Sequence, residues 1–366
     1  MKFKVQKNIL INAIQVVQNV VSTKVALPIL SNILIETQQN EITLTATDLD
    51  IGITCVIPVD IQEQGAITIP AKRFSDIIKE FPSESVSITT KKNNLVIIDS
   101  EACQFKIMGL GGEEFPKLPE FKDKKVIKIE QATLKQMLSL TSFAVSVDET
   151  RYVLNGTLFK IAKGVLTLVS TDGKRLAIAE KKLGAEEDSA VGDLQMIIPI
   201  KTIHELNRNL KDEGELSLIV GSNQALFDLG TVVVISRLIE GEFPDYKQVI
   251  PAASENKMKV ERSQFLLAVK RAALLATPDY QGVKLEVFKN KLVVSKSTPD
   301  VGESREELVV EYQGRELAIG FNPTYLIDIL KNLNEATINL ELTDSEKPGV
   351  IRISGYVYIV LPMRLS

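Results

Sequence analysis

Three stretches of the chain share one pattern of apolar and polar positions. In Val126 to Val145, VIKIEQATLKQMLSLTSFAV, a short alternating run is followed by a polar break and then by apolar residues at helical spacing. Near the start, KFKVQKNILINAIQVVQNVV places Phe3 and Val5 where the middle copy has Ile127 and Ile129, and KMKVERSQFLLAVKRAALLA places Met258 and Val260 there. The spacings between copies are nearly equal, which predicts three tandem domains, 1–121, 122–252 and 253–366.

Each copy opens a longer scheme. In the first, Ile9, Leu10, Ala13, Ile14, Val17, Val20 and Val21 form one helical stripe opposite Asn8, Asn12, Gln15, Asn19 and Ser22. LSNILIET, EITLTATD and IGITCVIPV then alternate as three strands. AITIP followed by AKRFSDIIKEF begins the same order again, with SVSITT, NLVIID and CQFKIMGL as its strands, before the Pro-bearing segment GEEFPKLPE. Each domain is therefore expected to be a duplicated β-α-β-β-β unit, of class α+β. The middle copy's helix is expected to turn Leu134, Met137, Leu138, Ala144 and Val145 to its sheet and Gln131, Lys135, Gln136, Ser139 and Ser142 outward.

Composition adds exclusions. With 45% hydrophobic and 25% charged residues the chain reads as globular, and its start, MKFKVQKN, has no apolar signal core, so a cytoplasmic protein is expected. Cys55 and Cys103 have no CxxC partner and read as buried free thiols in strands. One His, no Trp and 5% aromatics leave little catalytic material. GxxxxGK[ST] is absent, and Gly109, Gly111 and Gly112 do not complete GxGxxG. Arg208 stands where a zinc HExxH motif would have its second His, so His204-Glu205 reads as a solvated helix face. No enzyme activity, metal or cofactor is expected.

The net charge of −4 argues against a nucleic-acid partner until it is partitioned. The first helices of the three domains, residues 7–24, 131–147 and 262–276, hold Lys7, Lys24, Lys135, Arg262, Lys270 and Arg271 and no Asp or Glu. The second helices, residues 71–80, 200–211 and 322–332, hold Lys72, Arg73, Lys79, Lys201, Arg208, Lys211 and Lys331 against Asp76, Glu80, Glu205 and Asp328. Such helix faces would touch phosphates without reading bases, giving salt-dependent, sequence-independent contact. Acid-free helices lying against a sheet are the structural alternative.

LPILSNILIE, TATDLD, RYVLNGTLF, STDGKRLA, EGEFPDYKQV, TDS at 343–345 and the terminal LPMRL, taken together and in order, resemble the bacterial DNA polymerase III beta subunit family of replicative sliding clamps. The resemblance implies a head-to-tail homodimer closed into a ring, with helices lining the hole and antiparallel sheets outside. Such a ring encircles and slides on double-stranded DNA and tethers the replicative polymerase, the clamp loader and repair proteins by short hydrophobic motifs. It implies a partner-peptide pocket with Leu154, Thr171, Gly173, Lys174, Arg175, Leu176, Pro244 and Val249 as its wall, and Asn322, Tyr325, Val360, Pro362, Met363 and Arg364 as its floor and second subsite. Phe105, Ile107, Leu274 and Leu275 match the subunit interface, and Lys24, Lys72, Arg73 and Arg151 match DNA-contacting positions. Lys174 stands where the family often has His, and Glu346 and Pro348 alter the adjoining loop, which bears on peptide preference. The alternative is a multidomain peptide-binding scaffold that does not encircle DNA.

Overall fold

A computed structural model describes residues 1–21, 27–100, 103–121, 125–184 and 193–364. Among them one scheme recurs six times: a strand runs straight into a helix and three strands follow. The first domain has β1 (Lys2–Gln6), α1 (Lys7–Gln18), β2 (Asn32–Gln38), β3 (Glu41–Thr47) and β4 (Ile51–Pro58), with a short extra strand β5 (Asp60–Glu63). Its second half has β6 (Ala66–Pro70), α2 (Ala71–Glu80), β7 (Ser85–Thr90), β8 (Leu95–Asp99) and β9 (Gln104–Met108), with β10 (Leu110–Gly111) appended. The middle domain has β11 (Val126–Glu130), α3 (Gln131–Thr141), β12 (Gly156–Ala162), β13 (Val165–Thr171) and β14 (Arg175–Lys182), then β15 (Leu194–Pro199), α4 (Ile200–Asn209), β16 (Glu215–Val220), β17 (Gln224–Asp228) and β18 (Val232–Arg237). The last has β19 (Lys257–Glu261), α5 (Arg262–Ala273), β20 (Val283–Phe288), β21 (Lys291–Thr298) and β22 (Gly302–Val309), then β23 (Leu317–Phe321), α6 (Pro323–Asn332), β24 (Thr337–Glu341), β25 (Gly349–Ile353) and β26 (Tyr356–Val360).

All strand pairs are antiparallel, and the halves of each domain exchange their first strands. β1 pairs with β7 and β6 with β2; likewise β11 with β16, β15 with β12, β19 with β24 and β23 with β20. A half-unit alone would thus lack one strand of its sheet, which binds the halves into one domain.

The chain forms two compact units, Met1–Lys135 with Lys201–Leu238, and Gln136–Ile200 with Ile239–Ser366. The sheets explain the division. In the first unit β4 pairs with β18, so one sheet runs β10-β6-β2-β3-β4-β18-β17-β16-β11 across two domains, beside a five-stranded sheet β5-β1-β7-β8-β9. In the second unit β14 pairs with β26, giving β15-β12-β13-β14-β26-β25-β24-β19, beside a four-stranded sheet β22-β21-β20-β23.

Helix burial follows the apolar spacing. α1 buries Leu10, Ala13, Ile14 and Val17, and α5 buries Phe265, Ala268, Val269 and Ala272. Each fully buried Leu, Ile or Phe stabilises by about 1.5–3 kcal/mol. Ile9 at the stripe's edge stays exposed and Val21 half-buried, because the sheet covers only part of the helix circumference.

Three first-helix residues have a role that the polar pattern hides. Lys7 Nζ donates to Phe81 O at the end of α2, and Arg262 donates to Glu335 O at 2.8 Å and Leu330 O at 2.9 Å at the end of α6. Gln131 Nε2 donates to Glu215 O at 3.1 Å, while its Oε1 accepts from Lys211 N at 3.0 Å just past α4. The last carbonyls of a helix lack internal partners and carry partial negative charge, so Lys7 and Arg262 cap the second helix of their domains, whereas Gln131 ties the halves together through Glu215 O and Lys211 N. Gln131 is buried, against the expectation that it faces outward. Gln136 is exposed, and Lys135, Ser139 and Ser142 are half-buried.

The cysteines differ from each other. Cys55 lies buried in β4, where burial pushes its thiol up to about 11. Cys103 is half-buried in the turn before β9, not in a strand, its carbonyl accepting from Ser100 N.

Glu205 also departs from the sequence reading. It is 2% exposed rather than solvated, because α4 turns it inward beside Thr202 and Leu206. Arg208 holds Oε1, but Oε2 has no hydrogen-bond partner among the described residues. Burial raises its pKa, with Arg208, Asn19 and Lys201 offsetting only part. A raised carboxyl pKa means that the folded state binds the proton more tightly, so this contribution to stability is lost as pH rises from the unfolded value through the folded one. Glu205→Gln is expected to raise Tm at neutral pH, by about 1 kcal/mol of stability, with the difference shrinking below pH ~4. Thermal melts at both pH values check it, and an equal or lower Tm for the variant at neutral pH would refute it.

Candidate functional site

The stretch Ser170 to Ala177 ends β13, turns and starts β14. Asp172 builds the turn: Oδ1 accepts from Lys174 N at 2.8 Å and Arg175 N at 3.0 Å, and Oδ2 accepts from Arg175 Nε at 3.0 Å. Thr171 Oγ1 accepts from Gly173 N at 3.0 Å and donates to Arg175 O at 2.6 Å. Gly173 takes φ +84°, a left-handed conformation that suits glycine.

This turn walls a cavity of about 230 Å³ lined by Leu154, Thr171, Gly173, Lys174, Arg175, Leu176, Pro244, Asp245, Tyr246, Val249, Ile359 and Leu361. Beneath it lies a packed core that includes Leu154, Leu158, Val169, Leu176, Ile178, Phe243 and Ile359. All eight expected wall residues therefore meet at one apolar site. Lys174 is exposed at its rim, and Val249 is 60% exposed at the end of the helical turn Tyr246–Val249.

The expected floor does not line this cavity. In β26 and the residues after it, Ile359 and Leu361 point to the cavity and Val360, 1% exposed, points away, as strand alternation requires. Asn322 caps α6, accepting from Thr324 N at 2.9 Å. Tyr325 lies under the Arg175 guanidinium, Cζ to ring centroid 4.4 Å. Pro362 and Met363 are half-buried, Met363 N donating to Gly320 O at 2.8 Å. Arg364 opens instead on a polar cavity of about 420 Å³ with Lys284, Lys296 and Arg305. Asp245, Tyr246, Ile359 and Leu361 were missed; the alternation around Val360 was the signal for the last two.

The other expected positions are dispersed. Lys72 and Arg73 are exposed on α2, whereas Lys24 lies outside the described residues. Arg151 is exposed in the helical turn Glu149–Leu154, its Nε 3.7 Å from Asp148 and its Nη1 3.5 Å from Asp172 O. Phe105 is 38% exposed on β9 and Leu274 81% exposed after α5, with Ile107 and Leu275 half-buried, so none is a core residue.

The structure also thins the positive charge read from the helices. Besides the capping Lys7 and Arg262, Lys135 pairs with Asp212 at 2.7 Å, Arg271 with Glu306, Lys201 with Asp48 and Arg208 with Glu205. Lys72, Arg73, Lys79, Lys211, Lys270 and Lys331 form no ion pair with another described residue. No helix among the described residues is long and apolar enough to cross a membrane.

Comparison with known proteins covers the whole chain. Residues 1–119, 128–245 and 247–364 match the N-terminal, central and C-terminal domains of the DNA polymerase III beta subunit. The beta sliding clamp of Chlamydia pneumoniae is 35% identical over 366 residues, covering 100% of this chain and 99% of that protein. The crystal structure of the DNA polymerase sliding clamp from Bacillus subtilis matches with a TM-score of 0.94 at 34% identity, covering 100% of both chains. A Pseudomonas aeruginosa sliding clamp bound to griselimycin matches with a TM-score of 0.93 at 31% identity, again over 100% of both chains. The chain therefore belongs to the DNA polymerase III beta subunit family, the beta sliding clamps, and has their three-domain fold of helices and antiparallel sheets.

Proposed function

We propose that this protein is a non-enzymatic DNA-replication processivity factor: a homodimeric ring that encircles duplex DNA and tethers partners through the cavity beside Thr171 and Leu176. The observation that carries the reading is a pair of complementary open sheet edges. At each junction inside the chain, the third strand after the first helix of one domain pairs with the third strand after the second helix of the next: β4 with β18, and β14 with β26. By that rule β22 of the last domain requires a strand like β9 of the first, and both end their sheets. Pairing β22 with β9 of a second copy would join five strands to four, giving nine beside the nine and eight of the two sheets that cross domains within the chain.

Applied twice across a two-fold axis, the same pairing closes six domains into a ring in which β9 and β22 of each copy are both paired. Phe105, Ile107, Leu274 and Leu275 lie on or near those edges and supply apolar contact. The bases without ion pairs among the described residues, Lys72 and Arg73 foremost, are candidates for sequence-independent phosphate contact. A ring retains DNA by topology, so weak contacts suffice.

The cavity fits a short hydrophobic motif of a polymerase, clamp loader or repair protein, since its lining is mainly apolar with Lys174 and Asp245 at the rim. Griselimycin, bound by the Pseudomonas relative, is a ready probe of this chain too. A non-encircling scaffold is not favoured, because it leaves the two open edges without a role.

Protein loaded on nicked circular DNA is expected to be shed when the circle is linearised; retention on open-ended DNA would overturn the ring. Lys72→Glu with Arg73→Glu is expected to lower loading on circular DNA several-fold, with a shallower salt dependence. Unchanged loading would remove these residues from the DNA surface.

A further inference from the structure

The turn that walls the cavity is tied to a helix outside it. Arg175 has a side chain only 9% exposed, and each guanidinium nitrogen has its own acceptor: Nε has Asp172 Oδ2, Nη1 has Asp328 Oδ2 at 2.6 Å, and Nη2 has Phe143 O. Its Cζ lies over the Tyr325 ring, 4.4 Å from the centroid, and 5.5 Å from the centroid of the Phe143 ring. Burial opposes its charge, but the Asp328 hydrogen bond, Tyr358 and the two carboxylates outweigh that and raise its pKa above the ordinary arginine value. A guanidinium so committed has no free fork to offer a peptide.

Asp328 lies on α6 and does not line the cavity. The first unit repeats the device with different residues. There Thr47 Oγ1 donates to Ile51 O at 2.9 Å, Asp48 Oδ1 accepts from Asp50 N at 3.0 Å and Ile51 N at 2.9 Å, and Asp48 Oδ2 pairs with Lys201 on α4. In both units a Thr-Asp turn is therefore anchored to the second helix of the following domain. The chemistry of the anchor differs and its connection does not.

We propose that Asp328 is a positioning residue for partner binding: through Arg175 it holds residues 171–176 in the conformation that forms the cavity wall, so that α6 and the pocket move as one unit. This rests on the reading of the cavity as the partner site. Removing Asp328 leaves a buried guanidinium short of one carboxylate, and Arg175 loses its ion pair to α6 while keeping Asp172 and Phe143 O.

The test uses the full-length protein and a fluorescein-labelled peptide with adjacent Leu and Phe anchors. Asp328→Ala is expected to weaken the peptide about tenfold, the scale of one charged hydrogen bond. Asp328→Glu should restore most of the affinity, and Thr324→Ala at an exposed position of the same helix should leave the peptide affinity unchanged. Hydrogen exchange at the amides of Gly173, Lys174 and Arg175 should quicken in Asp328→Ala with solution mass unchanged. Asp328→Asn, which keeps the shape, serves the same purpose if the Ala variant folds poorly. Wild-type affinity together with wild-type exchange in the Asn or Ala variant would overturn the proposal. Failure of the wild-type protein to bind the peptide would instead overturn the pocket reading, and the exchange measurement would still decide whether α6 holds the turn.

Discussion

Lys106→Pro is expected to convert the dimer into a monomer of 40.4 kDa while leaving the monomer folded. In β9, Gly109 N donates to Asn94 O and Cys103 O accepts from Ser100 N, both at 2.9 Å. Backbone direction alternates along an antiparallel strand, so residues 103, 105, 107 and 109 point their N–H and C=O groups at β8, and Gln104, Lys106 and Met108 point theirs at the open edge. Proline in place of Lys106 deletes a donor that no strand of the same chain uses, and an edge strand tolerates the ring for that reason. Only the pairing with β22 of a second copy would suffer. On β22 Val310 N points inward to Asn290 O, so Glu303, Arg305, Glu307 and Val309 offer their backbone groups outward, and Val309 is 85% exposed. Solution mass and Tm check the result together. A Lys106→Pro variant that keeps twice the monomer mass would refute the edge pairing, and with Lys106→Ala dimeric as a control, loss of charge is excluded as the cause.

Val249→Glu is expected to abolish partner capture without touching the ring. Val249 is exposed, so the change leaves the core intact, yet it lines the cavity together with Leu176 and Gly173. A peptide anchor would lose apolar contact worth about 1.5–3 kcal/mol and would also have to desolvate a carboxylate beside Asp245. The expected loss is about a hundredfold or more in affinity, read by fluorescence anisotropy of the labelled peptide. Unaltered affinity would move the site elsewhere. Because the variant remains dimeric, it separates tethering from encirclement.

Much of the fold was legible in the sequence because it is repeated. The strand-then-helix order of KFKVQKNILINAIQ, VIKIEQATLKQML and KMKVERSQFLLAV could be aligned on itself, and Leu10, Leu134 and Phe265 are all buried as the spacing requires. The turn that walls the cavity was legible too, since Thr171, Gly173 and Leu176 sit in or beside a local turn whose Asp-Gly signal is written in adjacent residues, while the resemblance to the family is what implied the wall. The floor was not legible, because Ile359 and Leu361 reach the cavity through strand pairing between β14 and β26, residues far apart in the chain.

Polar residues misled where their partners were distant. Lys7, Gln131 and Arg262 looked like a charged or amide face for phosphates; Lys7 and Arg262 cap a helix in the other half of the domain, and Gln131 bonds Glu215 O and Lys211 N there. Glu205 looked solvated and is buried, and Arg175, expected in the cavity wall, lines the cavity and also pairs with the distant Asp328.

The sequence alone therefore determined the repeat, the class of each segment and the apolar face of each helix, because these depend on periods of two and 3.6 residues within one segment. Only the tertiary structure decided which half lends its first strand to which sheet, which edges are left open, and which bases are already neutralised. Those outcomes depend on backbone hydrogen bonds and ion pairs between residues tens to hundreds of positions apart, and local periodicity carries no record of them.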